Sequence, residues 1–155
     1  MVKTLGLWVA CLTGVAMVGA VGQDGKGDKR EGQGDKIEVR QLNLTGVRLN
    51  PREAERSRVD MAVVITDAEG LADAFPDENS QQAIAAQVDF RKEKLLFFRW
   101  AGSGGDRIRP QVQRANGNVR VVFKYQRGLT HDLHGHHYLF AVPRGVRWEV
   151  EQEKQ

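Results

Sequence analysis

From residue 58 onward the chain alternates apolar and polar side chains, and the alternation breaks at short clusters of glycine, proline and asparagine. Val59, Met61, Val63 and Ile65 recur every second residue, which predicts a strand over residues 58–65. Thr66 and Glu69 then stand at capping-box spacing, Leu71 and Phe75 share one helical face, and Pro76 follows, so a helix of about two turns is expected. A second short helical turn is expected over residues 80–87, with Ala83 and Ile84 inward. The run Leu95, Leu96, Phe97, Phe98 has no polar phase at all. On a strand such a run must be covered on both faces, which makes it a central strand.

Beyond that strand, Ile108, Pro110 and Val112 alternate with polar residues, as do Val119, Val121, Phe123 and Tyr125. Asn116 and Gly117 between the two runs suit the positive φ values of a type I′ hairpin turn. Pro110 lacks a backbone donor, so its strand is expected at an edge or at a bulge. Tyr138, Phe140 and Val142 predict a further strand ended by Pro143, and Val146, Trp148 and Val150 the last one. Ahead of residue 58, Ile37 and Val39 alternate, and Leu42, Leu44, Val47 and Leu49 follow out of phase. This predicts a bulged strand or two short ones. The sum is an α+β fold, mainly antiparallel sheet with one or two short helices packed on one face.

The N-terminus has a different pattern. Lys3 precedes an uncharged apolar run over residues 5–21, and Ala20 and Gly22 are small residues at the positions a signal peptidase reads. Residues 1–22 therefore read as a cleaved signal peptide, placing the mature chain in a secreted or periplasmic setting. An uncleaved anchor and a lipidated Cys11 are the alternative fates, and membrane association follows only from these. Residues 23–36 contain no large apolar side chain and read as a flexible linker, leaving residues 37–155 as a single globular domain. Cys11 is the one cysteine, so the mature domain holds no disulfide and must rest on its apolar core.

Charge is segregated along the chain. Residues 50–90 hold three arginines against nine acids, whereas residues 91–127 hold ten basic residues against Glu93 and Asp106. Arg99, Arg107, Arg109, Arg120 and Lys124 occupy polar phases of neighbouring predicted strands and are candidates for one basic face. An anionic surface polymer is a possible partner for such a face. Nucleic acid is not expected, because the chain reads as exported and the basic face carries no obvious stacking aromatics.

Val88-Asp89-Phe90, a short basic gap, the apolar strand, Gly104-Gly105 and Arg107-Ile108 together resemble the C-terminal domain of PrcB-type protease-complex stability proteins, over residues 59–143. The resemblance implies an exported accessory domain that binds another protein and has no catalysis of its own. This chain has Gly102-Ser103-Gly104-Gly105-Asp106 where that family has Pro-Thr-Gly-Gly-Tyr, so only the two glycines carry over. Residues 128–143 are also similar to exported bacterial proteins of no assigned function.

Chemistry-bearing residues are few. Gly102, Ser103, Gly104 and Gly105 form a structural turn or an interaction loop. A phosphate loop or nucleophile elbow would lead into a helix, and here an arginine-rich strand follows. His131, His134, His136 and His137 fall in one stretch with Asp132 and are the weak metal candidates, read as a solvated loop before the strand at Tyr138. A metal-dependent or histidine-using enzyme at residues 131–137 is the alternative reading. The favoured expectation is a non-enzyme with no cofactor and a protein partner.

Overall fold

The structure, a computed structural model, describes residues 37–115 and 117–154. The expected signal segment 1–22, the linker 23–36 and the turn residue Asn116 lie outside the described residues. In chain order the elements are β1 (Arg40–Gln41), α1 (Pro51–Glu55), β2 (Val63–Ile65), α2 (Ala68–Ala74), α3 (Glu78–Ala85), β3 (Glu93–Ser103), β4 (Arg107–Ala115), β5 (Asn118–Gln126), β6 (Leu133–Pro143) and β7 (Arg147–Gln152). They make two sheets. The first has strand order β1-β6-β3-β2, with every pair antiparallel, and the second has order β4-β5-β7. Strand β5 runs antiparallel to β4 but parallel to β7.

β3 occupies the central position that its apolar run predicts. Leu95 and Phe97 turn toward the helices and join Leu71, Phe75, Ile84, Leu139 and Ala141 in one buried cluster. Leu96, Phe98 and Trp100 turn the other way and pack with Ile108, Val121, Phe123 and Phe140 between the two sheets. A single strand thus feeds both cores. Burying each of these large side chains is worth about 1.5–3 kcal/mol, so the doubly covered β3 is the main apolar contributor to the fold. Its ladder with β6 is continuous from Glu93 opposite Pro143 to Ser103 opposite Leu133.

Among the described residues, helices lie only on the outer face of the first sheet, in keeping with an α+β fold. Several local expectations are corrected. The predicted strand over 58–65 shortens to Val63–Ile65 because Arg58 makes a forked ion pair to Asp60 and accepts the Met61 amide, closing a turn. Helix α2 is capped not by Thr66 but by Asp67, whose carboxylate accepts from Gly70 N at 2.9 Å while the Thr66 hydroxyl donates to it. α3 begins earlier than residue 80, at Glu78, because Asp77 caps it. α1 is a third helix, capped by the Asn50 side chain, and it buries Ala54. Of the segment 37–49, only Arg40–Gln41 pairs as strand.

Pro110 stands in β4, at an edge of the second sheet, as its missing donor dictates. The β4–β5 hairpin forms, with Ala115 opposite Asn118 and Gly117 at φ +74°. The stretch containing His134, His136 and His137 is not a loop. β6 starts at Leu133, so these histidines sit on a strand and alternate faces.

Candidate functional site

At the end of β3 the chain reverses through Gly104 and Gly105, with the Asp106 amide donating to Ser103 O at 2.9 Å. Asp106 then folds beneath the turn and is 1% exposed. Its Oδ2 accepts from Trp100 Nε1 at 2.9 Å and from Tyr125 OH at 2.8 Å, and its Oδ1 accepts from Gly128 N at 2.7 Å. Burial pushes this carboxyl up, but the three donors outweigh it and the net shift is downward, favouring the ionised form. One carboxylate therefore ties together β3, β5 and the segment that follows β5.

That segment, residues 127–132 leading into Leu133, is tied down twice more. Ser103 Oγ lies 2.6 Å from Thr130 Oγ1 and accepts the Thr130 amide at 3.1 Å. Asp132 Oδ1 accepts from Gly104 N at 3.2 Å, and Oδ2 lies 2.6 Å from His134 Nε2. Hydrogen bonds from the Thr130 hydroxyl and the Gly104 amide hold the Asp132 carboxyl down at about 2. The glycines supply room rather than unusual φ. A Cβ on Gly104 would stand 2.6 Å from Asp132 Oδ2, and one on Gly128 would stand 2.5 Å from the Gly105 carbonyl carbon. Trp100 backs the turn, with the His136 ring stacked on it at 4.8 Å and the Tyr138 ring at 5.5 Å.

Two large apolar side chains stand out from this pinned stretch, among the exposed Arg127, Thr130, His131 and Asp132. Leu129 is 80% exposed and Leu133 is 74% exposed. Beside them runs an open groove of about 680 Å³ lined by Ser103, Tyr125, Arg127, Leu129 and Thr130 among others. Large apolar side chains held out to water on a loop fixed by side-chain hydrogen bonds form a surface shaped for contact.

The sequence-predicted residues divide. Of the expected turn residues, Gly104 and Gly105 form the reversal, whereas Gly102 and Ser103 are the last residues of β3, paired with His134 and Leu133. His136 is buried there with Nε2 2.8 Å from Ser103 O, and His134 pairs with Asp132. His131 is exposed, and His137 faces the helices from the opposite side of β6. The four imidazoles do not converge, and among the described residues no three His, Cys, Asp or Glu side chains are grouped as a metal-ligand set. Elsewhere, the Asp89 carboxylate pairs with Arg91 and that of Glu93 with Arg40.

The expected basic face is corrected in one member. Arg99 lies on the helix side of the first sheet, in an ion pair with Glu53. Arg107, Arg109, Arg120 and Lys124 do share the outer face of the second sheet by register, and Arg147 joins them. Two acids from β7 answer them: Glu149 lies 2.6 Å from Arg120 and Glu151 lies 2.5 Å from Lys124.

Asp106, Leu129, Thr130 and Leu133 carry the site, and the sequence pattern does not single them out. Asp106 had one visible signal, as one of two acids amid ten basic residues. Comparison with family models, with curated proteins and with solved structures gives no match. No helix among the described residues is long and apolar enough to cross a membrane.

Proposed function

We propose that this chain is an exported, non-catalytic accessory domain that binds another protein through the loop 127–133 and the segment Gly102–Gly105. The observation that carries this reading is the pair Leu129 and Leu133, at 80% and 74% exposure, on a loop fixed by Asp106, Ser103 and Asp132. A loop ordered before contact loses little entropy on binding, so its apolar tips add to affinity. The side chains around it support binding over chemistry. Ser103 Oγ is engaged by Thr130 rather than by an imidazole, and His136 meets the Ser103 carbonyl. The resemblance to protease-complex stability proteins is consistent with an accessory role in stabilising a secreted complex.

The test begins with a photo-reactive side chain at position 129, and at Val112 as control, in the full chain exposed to its native exported fraction. The protein captured at 129 but not at 112 is purified and titrated. The double variant Leu129→Asp, Leu133→Asp should bind it on the order of tenfold or more weakly, with an unchanged unfolding midpoint. Equal affinity of variant and parent, or equal capture at the two positions, contradicts the proposal.

A second reading rests on the outer face of the second sheet, where five basic side chains meet two acids. It predicts retention on an anionic polymer that falls steeply with salt. Salt-insensitive retention removes it.

A further inference from the structure

On the helix-covered face of the first sheet, where α1 and the connection between α2 and α3 meet β3 and β6, lies a cavity of about 310 Å³. Its apolar wall is built by Leu49, Ala74, Phe75, Pro76 and Phe97, with the Phe75 and Phe97 rings 4.9 Å apart. A dry cavity of about 150 Å³ is enough to take up benzene. Twice that volume suits one substituted ring or two fused rings.

The polar groups of the cavity narrow the choice. Glu53 is already paired with Arg99. Asp77 accepts from the Ser80 amide at 3.0 Å and its hydroxyl at 2.7 Å, and it lies 3.9 Å from Arg48. The carboxylates in the wall are thus matched within the protein, so a cation would be desolvated without a free counter-charge, and an anion would find only Arg48, which is solvent-exposed and already beside Asp77. His137 differs. It stands in the wall, near-parallel to Phe97 at 6.1 Å, and its Nε2 is buried with no hydrogen-bond partner. Burial, with help from nearby Arg99 and His136, holds this imidazole below its ordinary value against the opposing pull of Glu53 and a hydrogen bond to the Asn50 backbone. The ring is therefore neutral at pH 7. With the Asn50 bond favouring a proton on the other nitrogen, Nε2 is left as an acceptor.

We infer that this cavity is a binding site for a small neutral aromatic molecule carrying one hydrogen-bond donor, of the phenol class, with the ring against Phe75 and Phe97 and the hydroxyl donating to His137 Nε2 once a shift of the imidazole uncovers that closed-off atom. An orphaned buried acceptor discriminates strongly for a ligand that satisfies it, because a ligand without the donor leaves it unpaired. The site is independent of the loop 127–133, so either proposal can fail alone.

The test is a titration of the full chain at pH 7 with p-cresol, toluene and benzoate, followed by amide chemical shifts. p-Cresol should bind saturably, at least about tenfold more tightly than toluene, with shifts confined to residues around the cavity. Benzoate should bind more weakly than p-cresol. His137→Phe should bring p-cresol down to the level of toluene, and Ala74→Phe, which fills the cavity while keeping His137, should abolish both. Equal binding of p-cresol and toluene by the parent chain, tighter binding of benzoate, or no saturable binding overturns the inference. Should His137→Phe fail to fold, the comparison of p-cresol with toluene and the Ala74→Phe variant still decide it.

Discussion

Asp106 concentrates the most structural consequence in one side chain. Three donors from three parts of the chain end on it, and it is ionised in a buried setting. Asp106→Asn keeps the volume but sets an amide N–H against a donor and removes the charge. We expect a loss of about 2–4 kcal/mol, read as a lower urea midpoint at unchanged slope. Its partner Tyr125 gives a pH signature. Burial and the hydrogen bond to Asp106 push the Tyr125 hydroxyl up to about 12, above the value of about 10 in an unfolded chain. The folded state thus holds this proton more tightly. Its contribution to stability is full below pH ~10 and is lost as pH rises toward ~12. Absorbance titration should show the late tyrosine ionisation, and Tyr125→Phe should remove it together with that part of the alkaline destabilisation. The sequence hinted at this residue only through its isolation among bases, since a carboxylate's burial depends on which donors the fold brings to it.

Elements were legible in proportion to their length and regularity. β3, β5, β6 and β7 announce themselves by runs or alternation, and β4 and β5 pair as a hairpin, as the pattern predicts. α1 escaped because five residues offer too few positions for a helical period, although Asn50 before Pro51 carried the capping signal. The histidine stretch was misread because polar residues on both faces hide a strand, and its backbone is ordered by pairing with residues 99–103 of β3. At this scale the key joint is the approach of Gly128 to Gly105. Gly128→Ala would put a Cβ 2.5 Å from Gly105 backbone and from Ser103 Oγ. A destabilisation of about 1–3 kcal/mol with loosening of the loop is expected. Gly145→Ala, with nothing within 4 Å of the added methyl, should be near neutral. Urea denaturation of the two variants side by side checks both.

The described residues make a helix layer, a sheet and a second sheet, with β3 facing both cores. The class was readable from the order of apolar periods. The split into two sheets and the parallel pairing of β5 with β7 were not, since both depend on where a distant strand returns. The same limit explains the site. The segment Gly102–Gly105 was visible as a glycine cluster, but the exposure of Leu129 and Leu133 is decided by what the fold leaves uncovered, and apolar residues in sequence look alike whether buried or not. Four of the five basic candidates do share a face, and Arg99 does not because β3 lies in the other sheet.

The central claim is that the loop carrying these leucines is already fixed in the free chain. Amide hydrogen exchange at Gly128 and Thr130, whose N–H groups donate to Asp106 and Ser103, tests it most directly. Both amides should exchange about a hundredfold or more below the unstructured rate in the absence of any partner. Exchange at the unstructured rate would contradict a pre-formed contact surface.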